Sequence, residues 1–199
     1  MSQPDTALLD LLGAEGVVRA REIEALGVSR ARIARLLGQG VIRRVGRGLY
    51  ARADRDLPAN YALARVAKRA PRGVICLLSA LQFHGLTSQI PRDIWLAIGE
   101  KDWRPSFDEV RVRTVRFSQI ALREGVEVHH VDGVCVRIFS PAKTVADCFK
   151  YRNKLGLDLA IEALRDCLQQ RKCTVDDLWR YANVDRVAAV MRPYMEALS

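Results

Sequence analysis

The sequence predicts an α+β protein of two domains, a small helical one that ends in a hairpin and a larger mixed one. Apolar residues recur at helical spacing near both ends of the chain, whereas the segments between residues 94 and 139 have the composition and alternation of strands. A chain of 199 residues is long enough for two cores. We therefore predict domains at residues 1–55 and 56–199, the second with a mainly antiparallel sheet and C-terminal helices.

Three helices are predicted in the first part of the chain. Leucines give residues 6–12 an apolar side, and residues 20–26 form a second helix that ends at Gly27, a residue suited to the left-handed conformation. Ser29 is a good N-cap for a third helix over residues 30–39. A short turn that contains glycine, placed between two helices, is typical of a helix-turn-helix.

The third helix has two distinct sides at about 100° per residue. Ile33, Leu36 and Leu37 share an apolar arc that faces the core, and the opposite arc is polar. Arginines lie in its first turn, where the helix dipole disfavours positive charge. A locally unfavourable residue of this kind is typical of a functional site. We predict that Arg32, Arg35 and Gln39 of the polar arc contact DNA bases, together with Arg30 in the first turn.

A basic hairpin follows this helix. Residues 41–45 form a strand, residues 46–48 a tight turn, and residues 49–51 the returning strand. Together with the three helices, the hairpin makes a winged helix-turn-helix, for which double-stranded DNA is the predicted partner. Contacts to phosphate or to a minor groove are predicted for Arg43, Arg44, Arg47 and Arg52.

The distribution of charge supports an anionic partner. The chain has a net charge of +9, and between Ser29 and Arg55 eight arginines face a single acid, Asp54. Every basic residue before Lys68 is arginine, whose guanidinium binds phosphate and guanine in bidentate fashion.

Other classes of protein are disfavoured. No apolar run approaches the ~20 residues that span a bilayer, and the first residues have no features of a secretory signal, so we expect no membrane association and a cytoplasmic location. The five cysteines are odd in number, and no two form a C-x-x-C pair. Neither a disulfide framework nor a zinc site is therefore expected, and the thiols are predicted to be structural: Cys76, Cys135, Cys148, Cys167 and Cys173.

We predict no catalytic residue and no cofactor. The three histidines are too few and too scattered for a triad, Ser79 and Ser140 lack the context of a nucleophile elbow, and phosphate-binding glycine motifs are absent. A metal-dependent nuclease stays open as an alternative because Asp93, Glu100 and Lys101 loosely suggest its ligands.

The rest of the chain supplies the mixed domain. A linker at residues 56–60 and a helix at 61–70 are followed by an apolar run at residues 74–86, which predicts a buried helix that ends near His84 or Gly85. Strands are predicted at residues 94–98 and 110–117, with a second hairpin at 126–131 and 134–139 that turns at Asp132-Gly133. Four helices end the chain, at residues 142–151, 157–170, 175–181 and 185–198.

Three sequence stretches together resemble the AbiEi-type antitoxins of bacterial abortive-infection systems and their regulator relatives. They are the winged module ending at residues 45–50, the run at residues 78–87, and the run at residues 140–152 that begins Ser-Pro-Ala-Lys-Thr. The resemblance implies an N-terminal module that binds and represses its own promoter. It also implies a second domain with antitoxin activity against a nucleotidyltransferase-like toxin, without a stable complex. The sequence therefore favours a DNA-binding transcriptional regulator, with an antitoxin as the alternative.

Overall fold

The computed structural model describes residues 3–54, 60–107, 110–131 and 133–198. Two units are found, one of residues 1–71, 105–110 and 129–136, the other of residues 72–104, 111–128 and 137–199. Residues 56–59 of the predicted linker at 56–60, and the turn residue Asp132, lie outside the described residues, so the domain limits stay a prediction. Helix Tyr61–Arg69, which follows that linker, is grouped with the first unit.

The first unit contains the predicted winged arrangement. A three-stranded antiparallel sheet with the order β1-β3-β2 packs with the helices. The first strand was not predicted, because two residues are too few to show a pattern. In chain order the elements are α1 Gln3–Glu15, β1 Val18–Arg19, α2 Ala20–Ala25, α3 Arg30–Gly38, β2 Ile42–Gly46, β3 Leu49–Arg52 and α4 Tyr61–Arg69.

Apolar residues at helical spacing form the core of this unit. Leu8 and Leu12 of α1, four residues apart, are fully buried, and so is Ile23 of α2. Ile33 of α3 and Ile42 of β2 complete the same cluster. Burial of large aliphatic side chains stabilises a domain by about 1.5–3 kcal/mol each, so this cluster fixes the three helices against the sheet.

The remaining elements form a five-stranded sheet with helices. The sheet has the order β6-β5-β4-β8-β7. The elements are β4 Val74–Ile75, α5 Leu77–Phe83, β5 Ile94–Gly99, β6 Val112–Phe117, α6 Gln119–Arg123, β7 Val126–Val131, β8 Val134–Phe139, α7 Pro141–Lys150, α8 Arg152–Leu155, α9 Leu157–Gln169, α10 Val175–Val184 and α11 Ala188–Leu198. The predicted α+β class is confirmed.

The pairing within this sheet is mixed. Strand β4 pairs with β5 in the antiparallel sense, whereas β4 with β8 and β5 with β6 are parallel. The connection over residues 100–111 is long enough for the chain to return to the start of β5, which a parallel neighbour requires. Among the described residues, none of the helices is both long and apolar enough to cross a membrane.

One predicted helix begins later than expected. The apolar run at residues 74–86 predicts a single buried helix that ends near His84 or Gly85, but Val74 and Ile75 form β4, and α5 runs from Leu77 to Phe83. Strand pairing on both sides decides the conformation here: Val74 lies opposite Ala97 of β5, and Ile75 lies opposite a residue of β8. An apolar run of this kind is ambiguous from sequence, because a buried strand and a buried helix share it.

The run at residues 140–152 forms the centre of the second unit. Ser140 caps α7 by accepting a hydrogen bond from the Lys143 backbone N–H at 3.4 Å, and Pro141 occupies the first turn. Eight consecutive residues of this helix, 142–149, are buried. A helix that is buried all round lies inside a core. This run therefore has a structural role in the second unit.

A buried charge cluster lies within that core. The ammonium of Lys143 is 2.5 Å from Asp147 Oδ1 and 3.0 Å from Asp185 Oδ2, and all three side chains have 0 % exposure. It also lies 4.7 Å from the ring centroid of Phe139, a cation–π contact. Although burial acts to lower the pKa of Lys143, the two carboxylates raise it above its ordinary value. Residue 125 must be glycine here, because a Cβ would lie 2.7 Å from the Lys143 Cβ.

Candidate nucleic-acid interface

The helix-turn-helix is fixed by local interactions at the start of α3. Gly27 adopts a φ of +80°, which glycine takes without steric cost. The Ser29 hydroxyl accepts a hydrogen bond from the Arg32 backbone N–H at 3.3 Å. Val28 and Ile33 are both buried, as expected for a hydrophobic staple. The sequence thus holds α3 in one orientation on the core.

The polar side of α3 lies where the spacing predicts it. Arg35 and Gln39 are exposed, and Arg32 is half-buried. On the opposite side, Ile33 and Leu36 are 3 % and 5 % exposed. The helix therefore presents polar side chains about one turn apart along an exposed edge. This spacing suits contacts with neighbouring bases in a major groove.

Arg30 lies at the first position of α3 and is exposed. Its Nε donates to Glu24 Oε1 at 2.7 Å, and this hydrogen bond raises the pKa of Arg30. Glu24 of α2 places a negative charge beside the start of α3, where the helix dipole favours one. The repulsion between the helix dipole and the arginines of the first turn, predicted from the sequence, is thereby partly compensated. An exposed ion pair of this kind contributes little to stability, so Arg30 can leave Glu24 for another anionic group.

The wing is formed by β2 and β3. Arg47 at its turn is exposed, and so is Arg44, whose Nε donates to the Gly46 carbonyl at 3.3 Å. Arg43 is half-buried. Arg52 is also half-buried, and it forms an ion pair with Asp54 at 2.7 Å. The turn thus presents Arg47 outward, while the arginines nearer the core are engaged by the protein.

A recess beside the wing is lined by Arg47 and by four further cations that were not predicted from the sequence. It has a volume of about 230 Å³, and we call it the arginine-lined recess. Its lining includes no acid among the described residues, so it suits an anion such as phosphate. Burial lowers the pKa of Arg19, and the positive charges of Arg21 and Arg69 add to this effect. The cations are Arg19, Arg21, Arg47, Lys68 and Arg69.

One carboxylate near the recess already has partners. Glu22 accepts hydrogen bonds from the Arg19 backbone N–H at 2.7 Å and from Lys68 Nζ at 3.0 Å. Although burial acts to raise the pKa of Glu22, these two contacts lower it below its ordinary value. The charge of Lys68, which is only 7 % exposed, is therefore balanced by the Glu22 carboxylate. The described residues provide no ion pair for the four arginines of the recess.

Pairing of β1 explains why the recess was not predicted. Arg19 lies opposite Leu49 in the register of β1 with β3, which brings residues before the basic run next to the wing. Arg69 comes from the end of α4, beyond the predicted domain limit. Arginines that are distant in sequence thus meet in space, and no local pattern predicts this. In the sequence, only the excess of arginine over lysine in this part of the chain indicates an anionic partner in a general way.

The residues considered for nuclease chemistry are not brought together. Asp93 precedes β5 and Glu100 follows it, and an extended segment of this length separates them by roughly 20 Å. The Asp93 carboxylate forms an ion pair with Arg113 at 3.3 Å. In the part of the chain that the structure describes, no group of three or more His, Cys, Asp or Glu side chains is placed to hold a metal ion.

Comparison with known proteins agrees with the fold of the first unit. Residues 7–53 match the family described as "Transcriptional regulator, AbiEi antitoxin". The fold is similar to the crystal structure of the RV2827C protein from Mycobacterium tuberculosis, with a TM-score of 0.62 and 14 % identity over 92 % of this chain and 72 % of that one. A comparison with curated proteins gives no match.

The family match covers the residues that form the helix-turn-helix and the wing. It includes α2, α3, β2 and β3 entirely, and therefore all eight residues predicted to contact DNA. The resemblance inferred from the sequence is confirmed for this module, because residues 7–53 match the family of AbiEi antitoxin transcriptional regulators.

Proposed function

We propose that this chain is a transcriptional regulator that binds a specific double-stranded DNA site through its first unit and represses its own promoter. The observation that carries the proposal is the exposed polar side of α3 in a module that also has an arginine at the turn of its wing. We place this function in the cytoplasm, where the DNA of a bacterial cell lies. No cofactor is part of the proposal.

Helix α3 and the wing have different tasks in this proposal. Arg32, Arg35 and Gln39 contact base edges in the major groove, because they lie on the side of α3 away from the core. Arg30 at the start of α3 contacts the same groove or a flanking phosphate. Arg47 contacts phosphate and fixes the position of the protein without reading sequence. The other wing positions, Arg43, Arg44 and Arg52, support the backbone contacts.

The arginine-lined recess extends the phosphate contacts. Its arginines are next to the wing and have no ion-pair partner among the described residues, so a phosphate oxygen can replace water there without breaking an existing pair. Contacts of this type release counterions from DNA. Binding is therefore expected to depend strongly on salt.

Selection of bound sequences from random duplexes tests the proposal. Recovery of one motif is expected, and a palindromic motif would also indicate a symmetric dimer. Fluorescence anisotropy on that site should give a log affinity that falls with log salt at a slope of about −5, as five to seven phosphate contacts require. Failure to enrich any motif, or a flat salt dependence, would overturn the proposal. Plasmid DNA incubated with divalent metal should stay intact, since cleavage would support the nuclease alternative.

Antitoxin activity is a second candidate function. The observation that favours it is the family description, which names an antitoxin. The functional partner would be a nucleotidyltransferase-like toxin, counteracted without a stable complex. Co-expression of this chain with a toxin of this type should restore growth. Arg32→Ala should impair the reading of DNA bases. If this variant still restores growth, the rescue comes from the second unit, and if it does not, the rescue comes from repression.

A further inference from the structure

Two cysteines of the second unit lie in contact although the sequence gives no paired motif. The Sγ atoms of Cys167, near the end of α9, and Cys173, just before α10, are 2.8 Å apart. Both are thiols. A disulfide has an S–S length of about 2.05 Å, so a small movement suffices to close the bond. The two residues are six apart in sequence, a wider spacing than that of the C-x-x-C redox motif.

We propose that Cys167 and Cys173 form a reversible redox modification site that closes to a disulfide on reaction with a small-molecule disulfide such as oxidised glutathione. The proposal rests on the contact of the two sulfur atoms and on their different exposure. It concerns the second unit alone and does not depend on DNA binding.

The two thiols differ in a way that assigns the order of reaction. Cys173 is half-buried and reachable, whereas Cys167 has 0 % exposure. The hydrogen bond between the two thiols lowers the pKa of Cys173, against the opposing effects of burial and of Asp177, and that same hydrogen bond together with burial raises the pKa of Cys167. Cys173 also lies next to the N-cap of α10, a ten-residue helix whose dipole favours a thiolate. Cys173 is thus the attacking thiol.

The exchange balances in two steps. The Cys173 thiolate attacks one sulfur of oxidised glutathione, which forms a mixed disulfide and releases one glutathione thiolate. Cys167 then loses its proton and attacks the Cys173 sulfur, so that the second glutathione leaves. Two protein thiols are oxidised to one disulfide, and one oxidised glutathione is reduced to two glutathione molecules.

The segment between the two cysteines is held in place, which keeps the sulfur atoms together. Arg171, in the turn between the two helices, adopts a φ of +52°. Gln170 donates to the Gly85 carbonyl at 3.1 Å, and the Lys172 ammonium donates to the His84 carbonyl. These contacts tie the turn to the end of α5. Closure of the disulfide therefore needs no new approach of distant segments.

Intact-mass analysis of the full chain tests the proposal in a Cys135→Ser background, which removes the exposed thiol. After incubation with oxidised glutathione, we expect loss of the mass of two hydrogen atoms, a crosslinked peptide spanning Cys167 and Cys173, and full reversal by dithiothreitol. Cys167→Ala should instead accumulate the glutathione adduct at Cys173. Cys173→Ala should gain neither adduct nor crosslink.

The controls make a negative result decisive. Circular dichroism checks that each variant folds, and Cys167→Ser provides a second replacement if alanine perturbs the core. Wild-type protein, in which Cys135 is exposed, reports whether the oxidant is active. If Cys135 takes up glutathione while the pair stays reduced, or if the Cys135→Ser protein keeps a stable adduct at Cys173 without closing, the proposal is wrong.

Discussion

The two units place charged side chains in opposite ways. In the first unit, arginines of α3, the wing and the recess lie at the surface, with few carboxylates beside them. In the second unit, Lys143, Asp147 and Asp185 are fully buried and bind one another. Exposed cations are already solvated and can take a polyanion, whereas buried ions depend on their partners. Charge is thus available for binding in one unit and determines packing in the other.

The largest effect is expected from removing the buried cation. Lys143→Met leaves two carboxyl groups in the core with no ammonium between them, so the free energy of unfolding of the second unit should fall by about 3–5 kcal/mol. All three tryptophans, Trp95, Trp103 and Trp179, belong to that unit. Urea unfolding followed by tryptophan fluorescence therefore reports on it directly.

Lys150→Met is the matched control for this substitution. Lys150 contacts Asp185 at 3.4 Å but is 34 % exposed, so Lys150→Met should lower the free energy of unfolding much less than Lys143→Met does. If Lys143→Met unfolds at the urea concentration of the wild type, the cluster does not stabilise the core, and the contrast between the units is lost.

Substitutions on α3 should have the next largest effect, and on binding instead of stability. Arg32, Arg35 and Gln39 are each replaced by alanine. Where the residue reads a base, the free energy of binding to the selected site should weaken by about 1–3 kcal/mol, and the preference at that base pair should relax. Anisotropy with the selected and a scrambled duplex measures both. Equal losses on the two duplexes would mean that α3 does not read sequence.

The wing should give a smaller and non-selective effect. Arg47→Ala should weaken binding to the selected and the scrambled duplex alike, and the salt slope should become about one unit shallower, because one phosphate contact is lost. Arg165→Ala, an exposed arginine of α9, is the control and should change neither quantity. Loss of specificity in Arg47→Ala would instead assign base reading to the wing.

The sequence predicts the surface charge of the first unit better than the buried charge of the second. The sides of α3 follow from its periodicity, and Gly27 and Ser29 mark its start, because local interactions determine them. The arginine-lined recess could not be predicted, since Arg19 and Arg69 meet only through strand pairing and the packing of α4.

The second unit was harder to predict for the same reason. Its strands were found from composition, but the parallel pairing of β5 with β6 depends on the path of residues 100–111. Lys143 and Asp147, four apart on α7, would suit an exposed helical ion pair equally well. Only Asp185, 42 positions away along the chain from Lys143, makes the cluster a buried one.

The smallest effect is expected at Asp147. Burial, together with the charge of Asp185, raises the pKa of Asp147 well above its ordinary value, although Lys143 opposes this. A raised native pKa means that the native state binds the proton more tightly than the unfolded chain. This contribution to stability is complete below the unfolded pKa of about 3.9 and is lost as the pH rises through the native pKa.

Asp147→Asn removes that titration and leaves Lys143 paired with Asp185. We therefore expect it to change the unfolding free energy by less than about 1 kcal/mol at neutral pH, far less than Lys143→Met. The advantage of the wild type over the variant should shrink as the pH rises above about 4. Asp185→Asn is the control and should cost more, because Lys143 and Lys150 both contact that carboxylate. Parallel pH profiles for wild type and Asp147→Asn, measured by urea unfolding, would show that the pKa of Asp147 is not raised in the native core.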